Sequence, residues 1–163
     1  MMLVNFGTAT GLREVVTGVA RLPGGSLEPV VIAAGPAGLD PDLDAALPLL
    51  TRRRQVFVTG ADVWPGELPD RFALIIVSGC DTPLAADARV TALIVLGSTA
   101  PVQDVACPIL VIAPARLPAA GPASTDVRFA EVGHAAEQAH LIDAFLREPR
   151  RYPAGSKIQR ARP

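Results

Sequence analysis

The sequence predicts one α/β domain built on a mainly parallel sheet. Short, continuous apolar runs recur between turn signals, the pattern of strands covered on both faces. Segments with helical spacing of apolar residues alternate with some of them. At 163 residues, 50% hydrophobic and 19% charged, the chain can bury one core and is too apolar to stay disordered.

Glu14 to Leu22 is a β-branched-rich run ending at Pro23, Gly24 and Gly25, which predicts a strand and a turn. Pro29 to Ala34 is apolar throughout and reads as a doubly covered strand, closed by Gly35 to Gly38. A helix follows, with Asp40 as N-cap and Pro41 at the first helical position. Leu43, Ala46, Leu47 and Leu50 give it an apolar face, and Pro48 should kink or shorten it. Gln55 to Thr59, Phe72 to Val77, Ala92 to Leu96 and Ile109 to Ile112 read as further strands, and Val127 to Val132 as a last, more alternating one. His134 to Leu146 is helical through Ala135, Ala139, Ile142 and Leu146. The domain therefore spans 1–146. Residues 147–163 are basic and interrupted by Pro149, Pro153 and Gly155, so a flexible tail is expected, a site for an anionic partner being the other reading.

The link from Asp62 to Arg71 contains two prolines and no helical pattern. A parallel crossover needs about a dozen residues. Either the flanking strands are not direct neighbours, or the crossover is a bare loop and one sheet face lacks its helix. The second case predicts a homodimer in which another copy covers that face.

Composition excludes several classes. A formal net charge of -1 and 4% aromatic residues argue against nucleic acid and anionic membranes as partners. No apolar run approaches the ~20 residues of a membrane-spanning helix. Met1 to Asn5 lacks the basic and apolar regions of a signal peptide, and Cys80 and Cys107 show no CxxC spacing. A reduced, cytoplasmic protein without metal or cofactor is expected.

Taken in order, these segments resemble the core of the α/β-hydrolase superfamily from about Glu14 to Leu146. Pro29 to Gly38 is similar to the family's strand and oxyanion loop, and Val56 to Gly66 to its next strand and Asp-x-x-Gly turn. Ser78-Gly79-Cys80-Asp81-Thr82 lies where the nucleophile elbow belongs, and Gly133-His134 matches the loop of the catalytic histidine. The elbow is small-x-nucleophile-x-small because a sharp strand-to-helix turn crowds its flanks. The resemblance implies Cys80 as nucleophile and His134 as general base. On the residues alone, Cys80 could equally be a buried packing residue, and Ser78 is the apex if the register slips. His134 could equally cap the last helix, and His140 reads as a packing or surface residue.

Other positions depart from the family. Arg116 stands where the acid is usual, which leaves Asp104 as an alternative carboxylate or as a solvated loop residue. Gly35, Pro36 and Ala37, with Asp81, fill the oxyanion or binding loop. Pro36 has no N–H, and losing one such donor can cost about 3 kcal/mol of transition-state stabilisation. The short span from Gly97 to Cys107 leaves no room for a cap domain.

The resemblance therefore implies a reduced α/β-hydrolase-like core with missing crossover helices, no cap and a degenerate triad. Two functions fit it: a Cys80/His134 hydrolase of an ester, thioester or lactone, or a non-hydrolytic descendant. The descendant would bind a small molecule or a protein, or promote a cyclisation or isomerisation. An unrelated small α/β binding module is the third reading.

Overall fold

The computed structural model describes residues 11–18, 20, 27–35, 38–39, 41–60, 65–77, 80, 83–97, 105–113 and 126–158. Its centre is a sheet of eight strands: β1 (Arg13–Glu14), β2 (Leu27–Ala33), β3 (Arg54–Thr59), β4 (Phe72–Ile76), β5 (Val90–Leu96), β6 (Ile109–Ala113), β7 (Val127–Glu131) and β8 (Lys157–Ile158). Their spatial order is β1-β3-β2-β4-β5-β6-β7-β8. All pairings are parallel except that of β1 with β3. The fold is thus α/β with a mostly parallel sheet and few helices.

Continuous apolar runs form the inner strands because both faces of the sheet are buried. Val30 and Ile32 enter one cluster while Val31 and Ala33 enter the other, as the two-residue period of a strand requires. The three α-helices among the described residues lie against the first of these faces. They are α1 (Pro41–Asp44), α2 (Leu47–Thr51) and α3 (Ala135–Arg147), which contribute Leu43, Leu50, Ile142 and Phe145 to its core.

Proline divides the expected helix after β2 into α1 and α2. Pro48 lacks the N–H that would bond Asp44, and its ring crowds that turn, so a second helix starts at Leu47. Leu43, Leu47 and Leu50 still reach the core, so the apolar face survives the break.

The crossover from β3 to β4 resolves the question raised by its length. Those strands are not neighbours, because β2 lies between them. Among the described residues this link holds only a 3-10 turn, Pro65–Glu67. The second sheet face is nevertheless covered: Leu74, Leu93 and Ile109 are fully buried, and Leu68, Leu84 and Cys107 pack with them. Among the described residues no α-helix contributes to this second cluster, the condition on which the expected homodimer rests. Val16, 66% exposed, is the one large apolar residue that is exposed among the described residues.

Two boundaries differ from expectation. Among its described residues, the run from Glu14 to Leu22 pairs with the sheet at its start, where Val15 N–H donates to the Val56 carbonyl. The expected flexible tail is ordered well past Leu146. Ser156 and Gly155 bond the backbone of Phe129 and Val127, and Lys157–Ile158 add β8 beside β7. Among the described residues, no helix is long and apolar enough to cross a membrane.

Candidate functional site

The strand order reverses at β2. The connection leaving β2 runs to β3 on one side, while the connections leaving β4 and β5 proceed towards the other edge. Crevices at such switch points, outside the carboxyl ends of the strands, are where open α/β sheets bind ligands. Here the switch point lies between the turns that follow β2 and β4, the segments of Gly35 and Cys80.

After β2 the chain folds back sharply. Gly38 N–H donates to the Gly35 carbonyl over 3.0 Å, and the two residues form an isolated bridge. Gly38 has φ of +84°, a conformation that a side chain would strain. This turn weakens the expected oxyanion loop further. Proline at 36 has no N–H, and the amide of Gly38 is consumed within the turn. Pro36 and Ala37 lie outside the described residues.

After β4 the ladder runs one residue further, with Val77 N–H bonded to the Ala33 carbonyl, and then turns. Cys80 N–H donates to the Val77 carbonyl over 3.0 Å, a sharp turn at the position expected for the elbow. Cys80 is half-buried and packs against the second of the two core clusters. The element that follows is the 3-10 turn Pro83–Ala86 rather than an α-helix. Four residues align too few peptide dipoles to stabilise a thiolate as a full helix N-terminus does. Ser78, Gly79, Asp81 and Thr82 lie outside the described residues, as do Asp104 and Arg116.

His134 is in the other layer. It is the exposed N-cap of α3, the helix packed on the first face, and its backbone is extended there (φ -159°, ψ 162°). Its Nδ1 accepts the Glu137 N–H at 3.4 Å, and the Glu137 carboxylate accepts Gly133 N–H at 3.2 Å. This reciprocal arrangement has the logic of a capping box, with an imidazole replacing the usual hydroxyl. A neutral ring whose Nδ1 accepts must carry its proton on Nε2, whereas a triad base keeps Nε2 free to take the nucleophile's proton. The β4 and β7 strands are three places apart, about 14 Å at the usual strand spacing. The strand order thus sets the turns that carry Gly35, Gly38 and Cys80 side by side, after the neighbouring strands β2 and β4, and leaves His134 on a helix cap. His140 is exposed on α3.

Sequence reasoning missed a cluster at the opposite end of the sheet. Arg54, the first residue of β3, is 3% exposed, and its Nη2 lies 3.8 Å from Oδ1 of Asp143, itself 7% exposed on α3. Asp143 also pairs with Arg147 one turn further on. The signal was present: Arg54 shares a strand face with Val56 and Val58, and Asp143 adjoins Ile142 on the packed side of its helix.

No family model matches this chain, and no curated protein and no solved structure matches it. Among the described residues, no group of three or more His, Cys, Asp and Glu is placed to hold a metal ion.

Proposed function

We propose that this chain is an α/β-hydrolase-like protein that has lost covalent catalysis and binds a small molecule in the crevice between the β2 and β4 turns. One observation carries the reading: Nδ1 of His134 accepts a backbone N–H at the start of α3. In that state the ring cannot present a free Nε2 to Cys80, nor donate from Nδ1 to a carboxylate. The closed glycine turn and the short 3-10 segment after Cys80 point the same way, since both remove groups that acyl transfer needs. The strand-order reversal at β2 supports a ligand site at this end of the sheet.

The competing reading, a Cys80-dependent hydrolase, has one observation in its favour. Cys80 sits half-buried on a sharp turn directly after a central parallel strand. Steady-state assays with p-nitrophenyl acetate and a short acyl thioester separate the two. The proposal expects no turnover above buffer, and no difference between the native protein and Cys80→Ala. Turnover that is lost in both Cys80→Ala and His134→Ala overturns it. A fragment screen followed by amide NMR tests the binding half: shifts should concentrate at Gly35, Gly38 and Cys80, and a set of hits that never perturbs them removes the crevice as the site.

A further inference from the structure

A groove of about 790 Å3 opens between the amino ends of β2 to β5 and the C-terminal end of α3. Small side chains create it. Ala73 and Ala92 form part of its wall, on the face where Ile75 and Ile94 fill the space two residues later in the same strands. Its charged lining is Arg53, Arg54, Arg71 and Arg147 against Glu28 and Glu148.

Of the two lining carboxylates, Glu28 is engaged within the groove wall, and the four arginines outnumber the pair. Glu28 pairs with Arg71 at 3.3 Å and accepts the Thr91 hydroxyl. Asp143, behind the groove, binds Arg147 through Oδ2. Arg53 is exposed and has no ion pair among the described residues. Arg54 is the deciding group. Although almost wholly buried, its Nε and Nη2 have no hydrogen-bond partner, and 3.8 Å to Asp143 is too long for one. Burial also holds its guanidinium below the ordinary arginine range, an effect that the nearby Asp143 carboxylate opposes. Buried donors of this kind are normally satisfied.

We infer that this groove binds the phosphoryl group of a small phosphorylated molecule, with Arg54 and Arg53 as its principal donors. Nε and Nη2 lie along one edge of the Arg54 guanidinium, which two oxygens of a phosphate would meet side by side in place of the long 3.8 Å contact with Asp143. A second guanidinium on the preceding residue suits a tetrahedral group, which offers a third oxygen, better than a planar carboxylate. The groove exceeds what inorganic phosphate fills and falls within the usual range for small-molecule sites. A nucleic-acid chain is the poorer occupant, because a protein of net charge -1 has no long-range attraction for a polyanion. The inference stands apart from the crevice at the other end of the sheet and uses none of its residues.

Calorimetric titration of the full chain tests it, with inorganic phosphate, ribose 5-phosphate and adenosine 5′-monophosphate as probes and ribose, adenosine and acetate as controls. The expected result is saturable, one-to-one binding of a phosphorylated probe with Kd below about 1 mM, and none for the controls. Tighter binding of an organic phosphate than of inorganic phosphate identifies the first as the source; the reverse order identifies the free ion, and both support the site. Arg53→Gln, an exposed change that the fold tolerates, should weaken binding about fivefold or more. Arg54→Met combined with Asp143→Leu removes the buried charges together and should abolish binding while the protein stays folded. Absence of saturable phosphate binding up to about 10 mM overturns the inference. Binding unchanged in both variants, or acetate binding as tightly as phosphate, also overturns it.

Discussion

Arg54 and Asp143 face each other across the contact between β3 and α3, 3.8 Å apart and nearly excluded from solvent. Removing one member of such a pair costs more than removing both. Asp143→Ala leaves the Arg54 charge buried without a counter-ion and should destabilise the protein by about 3–5 kcal/mol. Arg54→Met should cost less, because Asp143 keeps Arg147. The double change Arg54→Met with Asp143→Leu should fall within about 1 kcal/mol of the native protein. Urea unfolding of the three variants ranks them directly.

The two cysteines should differ in reactivity. Cys80 is half-buried, whereas Cys107 is 7% exposed and its thiol is pushed up to about 11 by burial. A maleimide at neutral pH should label Cys80 first and reach Cys107 only on unfolding, as peptide mapping would show. Protonation linkage adds a pH signature. Cys107 ionises more easily in the unfolded chain, so its contribution is intact below an ordinary thiol pKa and is lost as pH rises from about 9 to about 11. Cys107→Ala should flatten that alkaline decline in midpoint denaturation.

His134 should behave as a helix cap. Replacing it with Ala removes the acceptor for Glu137 N–H and should cost about 1 kcal/mol, whereas Asn or Ser at the same position should restore most of that loss. Thermal melts of the three variants decide this, and rescue by Ser is the outcome that a base in catalysis would not produce.

Ending the chain after Arg151 should expose the role of the last strand. Arg128 is 3% exposed and donates from Nε to the Tyr152 carbonyl at 2.7 Å, while Asp126 holds its other end. Loss of Tyr152 and β8 strips a buried guanidinium of that acceptor. A destabilisation of at least about 2 kcal/mol in chemical denaturation is expected.

The inner sheet was legible because its strands are buried on both faces, so each had to be a short apolar run bounded by turns. Pro48 likewise announced the break between α1 and α2 through its missing N–H. The margins were not legible. β8 is polar and gains its order from non-local bonds to Val127 and Phe129, which leave no periodic trace. Among the described residues after Glu14, the β-branched run Val15 to Thr17 carries strand propensity but lies outside β1, so propensity alone overstated that strand. At the candidate site, the turn at Cys80 followed from small residues, but the use of the His134 ring depended on the helix start at Ala135, which spacing alone left open. The arginine groove was harder still. Arg53, Arg71 and Arg147 are far apart in sequence, and only the order in which β3, β2 and β4 lie side by side brings them together.

The sheet ends on both sides in strands of two residues, β1 and β8. A long open edge displays a row of free amides and carbonyls on which another chain can polymerise. Here the long, apolar strands that could template such growth are all interior, and each margin offers only a brief ladder rich in charge: Arg13 and Glu14 at one, Lys157 at the other. The arrangement blunts strand-by-strand accretion, and points the hazard of amyloid-like growth to truncated or partly unfolded chains in which β7 or β3 has lost its guard.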